Sequence, residues 1–174
     1  MYISKKLVLI ILTLLVFSTS VCATPINRHN AKKHAQTAVQ ASKAGDWDAS
    51  RREWAKAVVN ADLGNLEAGR RAVFYYEYGR SAGVTCSFDI AEEYLNKAYK
   101  LDAEIGGPSF LSLVELFRLN LDQKKYKEAT EYFKKALPEL EKVEAPKESP
   151  AEFSKLLDEY AIALQGINNT EEAS

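Results

Sequence analysis

The sequence predicts an all-α protein of about seven helices, arranged as stacked antiparallel pairs. Three observations carry this. Ala, Leu, Glu and Lys dominate the 174 residues, while glycine and proline are few, and the dominant types are good helix formers. The breaks in the apolar pattern are short, and each holds Gly, Pro or Asp. A triplet also recurs: a small residue, a large apolar residue four positions on, and alanine three further. It stands at Ser50, Trp54 and Ala57, at Ala91, Leu95 and Ala98, and at Ala129, Phe133 and Ala136.

On a helix such a triplet lies on one face. The small residue lets a neighbouring helix approach closely, and the large one fills the space between pairs. Trp47, Phe88 and Tyr126 each precede a triplet by three residues. Asn168–Ala173 starts the pattern once more, so the small positions lie 41, 38 and 44 residues apart. A repeat of helix pairs at this spacing is the signature of a solenoid, in which each pair leaves an apolar face that only its neighbour can cover.

Taken in order, the first element is residues 1–23. Lys5 and Lys6 precede an apolar run of 11 residues, Leu7 to Phe17, short of the ~20 that a membrane-spanning helix needs. Small residues follow at Val21-Cys22-Ala23. This is the pattern of a secretory signal peptide cut after Ala23. Lipid attachment at Cys22 is disfavoured because Val21 is bulky for that processing; an uncleaved anchor is the other alternative. Removing the segment takes two of the 23 basic residues and no acid, which leaves 21 against 24 acidic and a net charge of −3. Nucleic-acid binding needs a basic face and is not expected. Cys86 is then the sole cysteine, which excludes an intramolecular disulfide; it reads as a small, half-buried residue of a helix–helix turn.

An exposed lead over residues 24–29 precedes a single repeat domain, residues 30–174. Its helices are expected at 30–44, 46–61, 65–82, 87–103, 109–121, 125–142 and 151–166. Gly45 and Gly83 suit the left-handed conformation that ends a helix. Asp46 and Ser87 suit the N-cap position. Pro150 suits a first helical turn.

The triplet at Ala129, Phe133 and Ala136, with the turns Lys125-Tyr126 and Gly45-Asp46-Trp47 before the second helices, resembles the tetratricopeptide repeat. The first helices follow that family less closely, at Tyr75, Tyr78-Gly79 and Ala82, at Leu113, Leu116 and Phe117, and at Leu157, Tyr160-Ala161 and Leu164. The units are longer than the family's usual length of about 34 residues. The resemblance implies a right-handed solenoid whose first helices line a concave groove, and a role in protein–protein interaction. Carried onto this chain, the family's groove positions include Tyr76 and Arg80, Val114 and Arg118, and Asp158 and Ile162. Arg80 and Arg118 occupy equivalent positions. Two such guanidinium forks suit a protein or peptide partner bearing an acidic group. The alternative is that they pair with Glu77 and Glu115, three residues earlier on the same helices.

No Gly-rich phosphate loop, Ser/His/Asp set or H-E-x-x-H motif is present, so no enzyme activity and no cofactor are expected. His29 and His34 have no third ligand nearby in sequence, which argues against zinc. Tyr75, Tyr76 and Tyr78 read as packing between helices. The expectation is a non-catalytic adaptor or scaffold of the cell envelope, periplasmic or secreted. The alternative is a self-associating subunit using Leu156, Leu157, Tyr160, Ile162 and Leu164 of the final helix.

Overall fold

The computed structural model describes the backbone of residues 5–172 and the side chains of residues 24–168. The expected export segment, residues 1–23, and the end of the repeat pattern at Ala173 lie outside the described side chains. The protein is all-α, with eight helices and no strand among the described residues: α1 (Lys5–Lys43), α2 (Trp47–Leu63), α3 (Ala68–Val84), α4 (Phe88–Ile105), α5 (Phe110–Asp122), α6 (Tyr126–Lys142), α7 (Ala145–Glu148) and α8 (Pro150–Glu172). The chain divides into two compact units, Met1–Glu67 and Ala68–Ser174. No described helix is long and apolar enough to cross a membrane.

In the first unit α1 packs along α2. Ala31, Ala35 and Ala38 of α1 are buried, as are Ser50, Trp54 and Ala57 of α2. Small side chains on both helices allow close approach. Asp46 caps α2 by accepting from Ala49 N at 2.8 Å, and Gly45 takes φ +80° just before it, both as the sequence indicates. The lead over residues 24–29 is mostly exposed and helical, part of α1. Within it, Arg28 Nε donates to Gly64 O at 2.7 Å and its Nη2 to Asn65 O at 3.1 Å. These carbonyls follow the C-terminus of α2, where a cation is favoured. That partner lies 36 residues away, beyond the reach of local periodicity.

The two helices are also joined through Glu53. Its Oε2 lies 2.6 Å from His34 Nδ1, and its Oε1 meets Lys56 Nζ. Hydrogen bonds with Lys56 and then His34 hold its carboxyl below the ordinary 4.5. A depressed folded value contributes stability that is present above 4.5 and is lost as pH falls through the folded value. Glu53→Gln is therefore expected to cost about 0.5 kcal/mol at neutral pH and to flatten the acid limb of the stability profile. Urea midpoints from neutral to acid pH check this; parallel profiles for both proteins would remove Glu53 from the acid response.

In the second unit the most extensive packing is within the pairs α3/α4 and α5/α6, with α4 on α5 and α6 on α8 joining them. The α4 triplet (Ala91, Leu95, Ala98) and the α6 triplet (Ala129, Phe133, Ala136) are buried. Tyr78 meets Tyr94 edge-on at 4.6 Å between ring centres, and Tyr75 lies 5.9 Å from the same ring, so these tyrosines pack between α3 and α4. Tyr126 lies against α8 at Gly166, where a Cβ would come within 2.6 Å of the ring.

Four local expectations change. Gly83 does not end a helix in the left-handed conformation; it lies inside α3, against Leu119 and Ala91. The left-handed residue of that turn is Cys86, with φ +56°, and Cys86 is exposed, not half-buried. The break expected over Ala145 to Pro150 contains the single-turn α7. Finally, α8 runs on through Glu172, so no new helix starts at Asn168.

Candidate binding groove of the second unit

The groove is built on the start of α5, which α6 holds in place. Glu139 accepts from Ser109 Oγ at 2.7 and 2.8 Å and from Phe110 N at 3.1 Å. A carboxylate at this position satisfies an otherwise unpaired helical N–H. Nearby Asp102 is buried; burial, and then the charge of Glu139, raises its carboxyl above the usual range. The result is a fixed Phe110 at the floor of a surface cavity of about 400 Å³.

Leu111, Val114, Leu140, Val143, Ala145, Phe153 and Leu156 form the apolar lining with Phe110. Tyr76, Glu115, Arg118, Glu148 and Glu152 bring the polar groups. Of the six residues the sequence places in a groove, the structure gathers Tyr76, Val114 and Arg118 here. Arg80 stands close enough for its charge to act on both Tyr76 and Glu115. Asp158 and Ile162 are exposed and outside the lining.

The reason is a rotation of α8. Phe153, Leu156, Tyr160 and Ala163 form its inward stripe: all four join the core with Phe117 and Phe133. Tyr160 stacks on Phe133 at 4.1 Å. Seating that stripe turns Glu152, Leu156 and Glu159 toward the groove, with Glu159 one residue on from the expected Asp158, a turn of about 100°. The apolar spacing of 153, 156, 160 and 163 is the sequence signal for it, and it differs from the tetratricopeptide register of groove positions. The same rotation bears on the proposed self-association surface. Leu156 is buried and Tyr160 half-buried. Leu157 and Leu164 remain exposed on one side of α8, and Ile162 on another.

The arginines are engaged as the pairing alternative describes, and further. Arg80 Nη1 lies 3.6 Å from Glu77, and Arg118 Nη1 lies 3.6 Å from Glu115. Arg118 Nε also donates to Glu159 Oε2 at 2.7 Å, from α5 to α8. Burial works against the Arg118 charge, but the Glu159 hydrogen bond and the surrounding carboxylates raise its pKa on balance. Glu77 and Glu115 are both raised above the usual carboxylate range, first by burial, with the charge of Glu115 adding to the rise at Glu77 and that of Glu159 to the rise at Glu115. The Tyr76 hydroxyl is pushed up to about 12, by burial first and then by Glu115. It therefore stays protonated and available as a donor at neutral pH.

No group of three or more His, Cys, Asp or Glu suited to a metal ion occurs among the described residues. The fold and this site define an all-α protein of packed helix pairs carrying an apolar groove with a charged margin. The chain matches no protein-family model and no curated protein.

Proposed function

We propose that the protein is a non-catalytic interaction module that holds a segment of a partner protein in the groove of its second unit. One observation carries the reading: the cavity of about 400 Å³ joins an apolar floor to a few placed polar groups, a combination typical of binding clefts. Most of the groove's lining comes from α3, α5 and α8, first helices of the repeat, where the tetratricopeptide resemblance puts a binding surface. We further infer export to the cell envelope or beyond, from the charge and apolar pattern of residues 1–23.

The test is capture from a cell-envelope fraction with the full chain as bait, beside a variant carrying Leu111→Asp and Val143→Asp. Both side chains are exposed, so circular dichroism should show an unchanged fold, and both line the cavity. A partner held by the first bait and lost by the second is expected. A partner held equally by both would move binding out of the groove, and capture of nothing would defeat the module reading. The chain recovered from the envelope is expected to begin at Thr24 by intact mass.

A further inference from the structure

We propose that the groove selects a peptide segment that carries a basic side chain among apolar ones. This rests on the interaction reading above and adds the chemistry of the partner. It also departs from the acidic partner that the two arginines suggest in sequence.

Charge balance is the first reason. Three carboxylates line the cavity, Glu115, Glu148 and Glu152, against the single guanidinium of Arg118. Glu77 and Glu159 add to the negative side, and Arg80 to the positive. Five carboxylates thus surround two guanidiniums.

Prior engagement is the second. Arg118 is hydrogen-bonded to Glu159 and lies beside Glu115. An incoming carboxylate would have to displace one of them and sit among the remainder. Like charges in contact repel, and several-fold more strongly in a half-buried setting than in water. An incoming cation displaces nothing. Neither Glu148 nor Glu152 forms a salt bridge among the described residues, and both are exposed. They are placed to receive an ammonium or guanidinium whose stem lies on Phe110 and Phe153. Long basic side chains bury their stems on apolar surface in this way.

Fluorescence anisotropy on the full chain tests this with three labelled synthetic peptides. They share one amphipathic leucine–phenylalanine sequence and differ only in carrying arginine, glutamine or glutamate at the polar positions. The arginine peptide is expected to bind about tenfold more tightly than the glutamine peptide, a difference of about 1.4 kcal/mol, and the glutamate peptide more weakly than either. Added salt should shrink the advantage. In the Glu148→Gln, Glu152→Gln chain most of it should vanish, with the glutamine peptide unchanged. Tightest binding by the glutamate peptide would overturn the proposal. So would an arginine advantage that survives the double substitution, because the cation would then sit elsewhere. Equal binding of all three, abolished by Leu111→Asp with Val143→Asp, would sink the charge preference and leave the interaction reading standing. Binding by none would sink the preference as well, and the capture experiment decides the interaction reading independently.

Discussion

Phe133→Ala is expected to destabilise the second unit by about 3–5 kcal/mol. The side chain is 1% exposed and sits where three helices meet. Its ring centre lies 5.5 Å from Phe117 of α5 and 4.1 Å from Tyr160 of α8. Truncation would leave a cavity and remove two ring contacts, each worth about 0.5–1.5 kcal/mol beyond area burial. Because Tyr160 helps fix the rotation of α8, the variant should also loosen Glu152, Leu156 and Glu159 at the groove. Phe133→Leu keeps most of the volume and should recover much of the loss. Urea denaturation of the three proteins decides the matter. A loss below about 1 kcal/mol for alanine would mean that the ring cluster does not hold α8.

Two glycines four residues apart on α3 are expected to respond to alanine with opposite signs. At Gly79 an added Cβ would lie 2.8 Å from Leu95 Cγ, 2.9 Å from Leu95 N and 3.1 Å from Ala91 O. Two of these atoms are backbone, so α4 itself would have to move. Overpacking of this kind costs about 1–3 kcal/mol, more than the ~0.5–1 kcal/mol that alanine gains over glycine in a helix. At Gly83 the same Cβ would meet Leu119 Cδ1 at 3.5 Å and Ala91 Cβ at 3.8 Å, which is ordinary contact. Gly83→Ala is therefore expected to stabilise by about 0.5 kcal/mol. Thermal melts of the two variants beside the parent check the signs. Stabilisation by Gly79→Ala would show that α3 and α4 stand further apart than described here.

The sequence by itself determined the helices and their inward faces. The three repeated triplets, defined by residue size and spacing, hold nine residues, and all nine are buried. Asp46 was legible as a cap because capping is a contact within one turn. The all-α class and the pairing order were legible for the same reason: helical periodicity repeats every 3.6 residues and needs no distant partner. Tyr76, Val114 and Arg118 were legible as neighbours because their helices repeat one register.

Tertiary structure alone decided the rest. The rotation of α8 followed from which stripe found the Phe117–Phe133 core, and it exchanged Asp158 and Ile162 for Glu152, Leu156 and Glu159. The Arg118–Glu159 bond spans 41 residues and turns a pair of arginines into a groove dominated by carboxylates. Arg28 of α1 reaches carbonyls at the end of α2, and α3 runs on past Gly83 to Val84, so that Cys86 takes the left-handed position of the turn. The α8 rotation and both arginine contacts depend on groups far apart in the chain. Local periodicity fixes which face of a helix is apolar, whereas its partners fix where that face points and which charges it brings together.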